Sequence, residues 1–145
     1  MKPQWAPSVM VLDASVLVKL FFREEHSEVA EHCLRRADAL LAPDLIWAEC
    51  AQVIWKRHRC NGLSQENAAA ILAELLRVPL RVYASAELIR QAMDLAIHFD
   101  RTVYDCLYLA LAVETASTVL TADRKLANAL ADTPLAASVK WLGDC

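Results

Sequence analysis

The sequence predicts an α/β fold with three layers, in which helices cover both faces of a central parallel sheet of four to five strands. Short apolar runs with β-branched residues alternate with longer amphipathic segments along the chain, as expected for a parallel sheet wrapped by helices. Apolar residues make up 57% of the 145 residues, above the usual ~45–50%, which fits a covered sheet or an extra apolar surface for a partner. With no repeat or linker, the length predicts one domain over residues 8–145 behind a flexible arm at residues 1–7.

The first predicted strand is Val9–Leu12, an apolar run that ends at Asp13. Such a run suits a strand buried on both faces of a parallel sheet. Apolar residues at helical spacing follow it and predict a helix that starts at Asp13 or Ser15. By the same criteria, a helix over residues 24–37 and a strand over residues 39–42 come next. A helix capped by Asp44 then extends to about Arg59. Gly62 breaks the chain there, and Ser64 caps the helix that follows.

In the second half, residues 79–83 predict a third strand, followed by a helix that ends near Phe99. Thr102 caps the next helix, over residues 103–115, which is apolar nearly all round and is therefore expected to be buried. The chain is completed by a fourth strand over residues 117–121, a short helix over 123–131 and an edge strand over 137–142.

Composition excludes several classes of protein. No apolar run approaches the ~18–20 residues of a membrane span, and the N-terminus lacks the pattern of a signal peptide, so we expect a cytoplasmic protein with no membrane contact. The five cysteines are odd in number and form no CxxC pair, which argues against a zinc site or a disulfide framework. The net charge of −3 is not that of a protein that binds nucleic acid by bulk charge.

Two acids follow predicted strands. Asp13 comes directly after the first strand and Asp123 comes just after the fourth. Ligands of open α/β sheets bind at the carboxyl ends of the strands, so both acids are expected on one rim of the sheet. The alternative for each is an ordinary helix N-cap.

Two further acids interrupt apolar helix faces. Glu49 shares the stripe of Ile46 and Val53, and Asp105 lies on the predicted buried helix, which has no other charge before Glu114. A carboxylate on an apolar face is costly unless it is paired or binds a metal ion. The alternatives are that Glu49 reaches water at the edge of its stripe and that Asp105 completes a capping arrangement with Thr102.

Together these acids predict a metal site. Like charges raise one another's pKa, and hard divalent cations such as Mg²⁺ or Mn²⁺, which prefer oxygen ligands, compensate the repulsion. Such a site suits hydrolysis of phosphodiesters.

The same residues carry a family resemblance. The chain resembles PIN-domain ribonucleases, and most closely the VapC-type toxins of toxin–antitoxin modules. The resemblance spans nearly the whole chain and rests on four motifs in order: Val11-Leu12-Asp13-Ala14-Ser15, Glu49 in its apolar helix, Tyr104–Ala112 and Leu120–Leu126.

The resemblance implies a Mg²⁺- or Mn²⁺-dependent endoribonuclease that forms a homodimer and is inhibited by a VapB-like antitoxin. It makes Asp13, Glu49, Asp105 and Asp123 the catalytic, metal-binding quartet, and Ser15 and Thr121 supporting hydroxyls. Among the basic residues, the candidates for contacts with RNA phosphates are Arg124, Lys125 and Lys19.

Other interpretations are weaker or remain open. A metal-independent ribonuclease needs histidine acid–base groups, but the four histidines are scattered. A haloacid-dehalogenase-like phosphatase needs a second Asp where Ser15 stands. Two alternatives stay open: a catalytically weak PIN-like binding module, and a PIN nuclease that acts in RNA processing rather than growth arrest.

Overall fold

The structure, a computed structural model, describes residues 8–145 and contains one five-stranded sheet. Its strands are β1 (Val9–Leu12), β2 (Ala39–Pro43), β3 (Leu80–Tyr83), β4 (Thr118–Thr121) and β5 (Val139–Trp141). Every pairing is parallel, and the strand order is β3-β2-β1-β4-β5. The predicted parallel sheet is therefore confirmed, whereas the predicted arm at residues 1–7 lies outside the described residues.

Seven helices connect these strands within residues 8–145. They are α1 (Ala14–Leu17), α2 (Ser27–Arg35), α3 (Leu45–Asn61), α4 (Gln65–Leu75), α5 (Ser85–Phe99), α6 (Val103–Glu114) and α7 (Arg124–Leu130). The chain steps from β1 to β3 in one direction and from β3 to β5 in the other. Because such crossovers are right-handed, α1–α4 cover one face of the sheet and α5–α7 cover the other. The three-layer α/β/α fold is confirmed.

The core lies between the central strands and α6. Leu12 of β1 and Leu120 of β4 are fully buried, and the seven consecutive residues Cys106–Ala112 of α6 are all buried. This helix packs against β1, β2 and β4, which explains why its sequence is apolar on all sides. The predicted burial of this helix is confirmed.

Two of the predicted helix caps form. The Ser64 hydroxyl accepts a hydrogen bond from Asn67 N at 3.0 Å, and the Thr102 hydroxyl accepts one from Asp105 N at 3.1 Å. The predicted Asp44 cap of α3 is wrong. The Asp44 carboxylate instead accepts from the backbone N–H and hydroxyl of Ser85, at the start of α5. Asp44 has helical backbone angles, whereas an N-cap normally has extended ones.

The helix predicted after β1 is shorter than expected. Only one turn, α1, is α-helical, and Val18–Leu20 continues it as a 3₁₀ turn. The next helix begins at Ser27, not near residue 24, because the Ser27 hydroxyl accepts from Glu24 N at 3.0 Å and donates to the Phe22 carbonyl at 3.4 Å. These bonds hold residues 22–26 as a loop.

Within residues 8–145, no helix has both the length and the apolar character that a membrane crossing requires. All five cysteines are free thiols, and two of them, Cys50 and Cys106, are buried. These two pack in the hydrophobic core as small apolar groups.

Candidate active site

A cavity lies at the point where the strand order reverses, beside the carboxyl ends of β1 and β4. The chain leaves β1 toward β2 on one side and leaves β4 toward β5 on the other, and open α/β sheets bind ligands at such a crevice. The cavity has a volume of about 530 Å³. Its lining residues are Asp13, Ala14, Ser15, Leu45, Ala48, Glu49, Gln52, Val53, Tyr104, Asp105 and Asp123. The structure therefore brings the four predicted acids to one cavity.

Asp13 is held by two hydroxyl groups. The hydroxyls of Ser15 and Thr121 each donate to Asp13 Oδ2 at 2.7 Å. Asp13 occupies the N-cap position of α1 with an extended backbone, but its carboxylate makes no capping hydrogen bond to that helix. Both hydroxyl bonds therefore go to the same carboxylate oxygen, Oδ2, and neither goes to Oδ1.

The same two hydroxyls also bind the backbone after β4. Ser15 Oγ accepts from Ala122 N and Thr121 Oγ1 accepts from Asp123 N, each at 3.0 Å. The Asp13 N–H in turn donates to the Leu120 carbonyl at 3.1 Å, which extends the β1–β4 pairing by one residue. This network fixes the backbone positions of Asp13 and Asp123 relative to each other.

Glu49 reaches the cavity from α3 and is held by Tyr108 of α6. The Tyr108 hydroxyl donates to Glu49 Oε1 at 2.6 Å. Sequence reasoning missed Tyr108 as a site residue, although one signal was available. Tyr108 follows Asp105 by three residues and therefore shares its helix face, and a buried tyrosine hydroxyl usually needs a polar partner.

Asp105 and Asp123 combine capping with access to the cavity. Asp105 lies in the first turn of α6, where its backbone N–H donates to Thr102. Asp123 Oδ1 accepts from Lys125 N at 3.0 Å and from Leu126 N at 3.3 Å, which caps α7. The predicted capping arrangement at Thr102 and the N-cap at Asp123 are therefore confirmed, and both acids also line the cavity.

Burial raises the pKa values of Asp13, Glu49 and Asp105, and neighbouring carboxylates add to the rise. Burial is the main cause of the raised pKa of Asp13, with Asp123 adding to it, while the bonds from Ser15 and Thr121 oppose the rise. Burial also raises the pKa of Glu49, which the Tyr108 bond opposes. The pKa of Asp105 is raised by burial first and then by Asp13 and Asp123. The cavity thus concentrates negative charge.

No basic side chain forms an ion pair with any of the four carboxylates within residues 8–145. No three Asp, Glu, His or Cys side chains of this range come together in a group that could hold a metal ion. An ion bound here would therefore take one or two protein carboxylates and keep several waters, as Mg²⁺ does. Oxygen-only donors around an open cavity also match Mn²⁺.

The candidate phosphate-binding residues differ in their availability. The Lys19 ammonium group contacts Glu24 Oε1 at 3.2 Å and the Glu25 carbonyl at 2.7 Å, and its side chain is only 10% exposed. Arg124 and Lys125 are exposed next to Asp123. Sequence reasoning also missed Tyr104, which is 63% exposed at the rim of the cavity.

The raised pKa values predict how stability depends on pH in EDTA. An acid with a raised pKa binds more protons in the folded state, so stability falls as pH rises from the unfolded pKa through the folded pKa. We therefore expect the unfolding temperature to rise by about a few degrees as pH falls from 7 toward 5. Asp105→Asn should raise the unfolding temperature at pH 7 and flatten this dependence. Thermal unfolding followed by circular dichroism tests this, and a steady decrease on acidification would contradict it.

Comparison with known proteins identifies the family. The PIN domain family model matches residues 10–130. Ribonuclease VapC3 from Pyrobaculum aerophilum is 38% identical over 121 residues, which cover 82% of this chain and 92% of that protein.

Solved structures with similar folds include two toxin proteins. VapC20 from Mycobacterium tuberculosis, described as a toxin that cleaves the sarcin–ricin loop, has a TM-score of 0.63 at 18% identity and covers 83% of this chain and 94% of its own. A toxin–antitoxin complex from Klebsiella pneumoniae has a TM-score of 0.65 at 16% identity and covers 92% and 97%. These two similarities concern the fold, whereas the family model and the curated relative concern the sequence. On that sequence evidence, the chain belongs to the PIN-domain family, among its VapC-type ribonucleases.

Proposed function

We propose that this protein is a Mg²⁺- or Mn²⁺-dependent endoribonuclease that hydrolyses RNA phosphodiesters, and that it is the toxin of a toxin–antitoxin pair in the cytoplasm. The observation that carries the proposal is the cavity where Asp13, Glu49, Asp105 and Asp123 meet, although no basic side chain of residues 8–145 forms an ion pair with any of them. The kinship with ribonucleases of the VapC type supports RNA as the substrate.

Each residue of the cavity has a distinct role in this proposal. A bound divalent cation lowers the pKa of the attacking water and stabilises the charge that develops on the phosphodiester. Asp13 and Asp105 would hold the cation directly, with Asp123 as the next candidate ligand, and Glu49 would bind it through a water or orient the attacking water. The hydroxyls of Ser15 and Thr121 restrict the Asp13 carboxylate to one orientation, which limits the reorganisation needed during the reaction.

Contacts with RNA are proposed to be local because the net charge of the chain is −3. Arg124 and Lys125 lie beside Asp123 and are exposed, so they can donate to phosphates next to the cut bond. Lys19 is the weaker candidate, since a phosphate contact would require it to leave Glu24.

Two apolar surfaces suit protein partners. A second cavity, of about 270 Å³ and almost wholly apolar, lies between α3 and α4. We propose that a VapB-like antitoxin places an apolar segment there and covers the neighbouring acidic cavity. On α5, Ile89, Met93 and Ile97 are exposed at four-residue spacing and form one stripe. Such a stripe suits a homodimer contact.

A cleavage assay on an RNA pool tests the proposal. We expect cleavage with Mn²⁺, none in EDTA, and recovery when excess Mn²⁺ is added back. RNA binding without cleavage under all conditions would contradict the nuclease and indicate a binding module. Expression with and without a VapB-like antitoxin separates the biological roles, because a toxin arrests growth only when its antitoxin is missing, whereas an RNA-processing nuclease does not.

A further inference from the structure

A second polar groove lies between α7 and β5. It has a volume of about 350 Å³, and its polar lining includes Arg124, Asn128, Lys140 and Asp144, with Trp141 as its aromatic wall. Within residues 8–145, neither Arg124 nor Lys140 forms an ion pair. The groove therefore offers two available cations against the single carboxylate of Asp144.

The Trp141 ring is fixed in place by its neighbours. A Cβ atom on residue 143 would lie 2.2 Å from the Trp141 ring, so Gly143 allows the indole to rest against the backbone there. The His26 ring meets the indole edge-on, with centroids 5.7 Å apart. The Arg124 guanidinium lies over the indole at 4.8 Å from the ring centroid.

This arrangement orients Arg124 without using its hydrogen-bond donors. A guanidinium over an aromatic face is held by the ring quadrupole. Its N–H groups lie in the guanidinium plane and stay available, in a fork that matches phosphate oxygens. An exposed arginine is thereby pre-organised, which reduces the side-chain entropy lost on binding.

The groove adjoins the acidic cavity. Arg124 directly follows Asp123 in the chain, so their Cα atoms are about 3.8 Å apart, and Asp123 lines the acidic cavity while Arg124 lines the groove. A strand of RNA whose phosphodiester sits at the acids can therefore continue into the groove.

We propose that the groove between α7 and β5 is a subsite for the single-stranded RNA segment that flanks the cut phosphodiester, in which Trp141 positions the Arg124 guanidinium to bind a phosphate. Lys140 supplies a second phosphate contact farther along the groove. This inference rests on the proposed ribonuclease function. Trp141 is a positioning residue, because it acts through Arg124.

Binding of a short labelled single-stranded RNA, measured by fluorescence anisotropy, tests the subsite. The Asp13→Asn background in Mg²⁺ keeps the RNA intact. We expect Arg124→Ala and Trp141→Ala each to weaken binding about 10-fold, and Lys140→Ala to weaken it somewhat less. Each loss of a phosphate contact should reduce the slope of log K against log salt by about 0.7. Trp141→Phe, which keeps an aromatic face, should restore most of the affinity.

The double variant Trp141→Ala/Arg124→Ala gives the sharpest test of positioning. If Trp141 acts through Arg124, the double variant loses about 10-fold, as each single variant does, and not the product of about 100-fold. Arg81→Ala is the charge-matched control. Arg81 is exposed on β3, at the opposite edge of the sheet and about 19 Å from β5 at four strand spacings, so its loss should leave binding unchanged.

The outcomes separate the subsite from the proposed function. If the wild-type protein cleaves RNA but Arg124→Ala and Lys140→Ala bind like the background variant, the subsite is wrong and the nuclease stands. If the two single losses multiply, Trp141 does not position Arg124. If Trp141→Ala fails to fold, Arg124→Lys tests the subsite instead. Lysine keeps the charge but not the planar fork, so this variant should bind RNA more tightly than Arg124→Ala but more weakly than the background variant. If the wild-type protein neither binds nor cleaves RNA, the function fails and the subsite with it. Normal RNA binding with loss of antitoxin binding would assign the groove to a protein partner instead.

Discussion

Asp13→Asn is expected to abolish RNA cleavage and to leave the fold intact. Asparagine has nearly the same shape as aspartate, and its carbonyl oxygen can accept the hydrogen bonds that Ser15 and Thr121 donate to Oδ2. It brings no negative charge, however, so it binds a divalent cation far more weakly. We expect the single-turnover rate with Mn²⁺ to fall by about 10³-fold or more, which corresponds to at least about 4 kcal/mol of transition-state stabilisation.

The control for this prediction removes the same charge elsewhere. Asp94 is exposed on α5 and lies outside the acidic cavity, so Asp94→Asn should cleave RNA at the wild-type rate. In EDTA, Asp13→Asn should unfold at a temperature no lower than the wild type, because burial and Asp123 disfavour the ionised Asp13 side chain. Full cleavage activity in Asp13→Asn would exclude the proposed mechanism.

The sequence predicts the framework of the fold because local patterns and tertiary packing agree there. Val9–Leu12 is apolar at every position, which favours a strand covered on both faces, and its last two residues, Val11 and Leu12, are fully buried. The helix over Cys106–Ala112 has no polar face, which required a central place in the core. In both segments the apolar sequence pattern and the buried position in the fold agree.

The details that failed depend on residues far away in the chain. Asp44 has the identity of an N-cap, but its carboxylate binds Ser85, 41 residues later, which no local pattern indicates. Asp13 likewise has the identity of an N-cap, but its carboxylate binds Thr121, 108 residues later, and does not cap α1. Such long-range competition for a polar side chain is decided by tertiary packing and not by propensity.

In the candidate site, too, local sequence patterns predicted some residues, whereas residues that depend on long-range contacts were missed. The four acids were predictable because carboxylates at strand ends and on apolar helix faces are out of place unless something binds them. Tyr108 and Trp141 were missed because aromatic residues at such positions are usually core residues. Their partners, Glu49 and Arg124, lie far from them in sequence, so only the fold reveals the pairs.

Tyr108→Phe is expected to weaken the binding of the catalytic metal ion without destabilising the fold. The variant keeps the buried ring and removes only the hydroxyl that donates to Glu49 Oε1 at 2.6 Å. Without that bond, the Glu49 carboxylate loses a fixed orientation in the cavity. Removing a group that orients a metal ligand typically costs 10–100-fold in metal affinity or activity. We therefore expect the Mn²⁺ concentration at half-maximal rate to rise by about 10-fold or more, with a smaller change in the rate at saturating Mn²⁺.

Thermal unfolding separates this role from simple packing. Mn²⁺ that binds only the folded state stabilises it by an amount that grows with the logarithm of the Mn²⁺ concentration divided by Kd, so a given Mn²⁺ concentration should stabilise Tyr108→Phe less than the wild type. In EDTA the two proteins should unfold at similar temperatures. Tyr83→Phe on β3 is the matched control, since Tyr83 lies outside the acidic cavity, and it should respond to Mn²⁺ like the wild type. If Tyr108→Phe unfolds at a lower temperature in EDTA but keeps the wild-type response to Mn²⁺, Tyr108 supports only the core and Glu49 needs no partner to act.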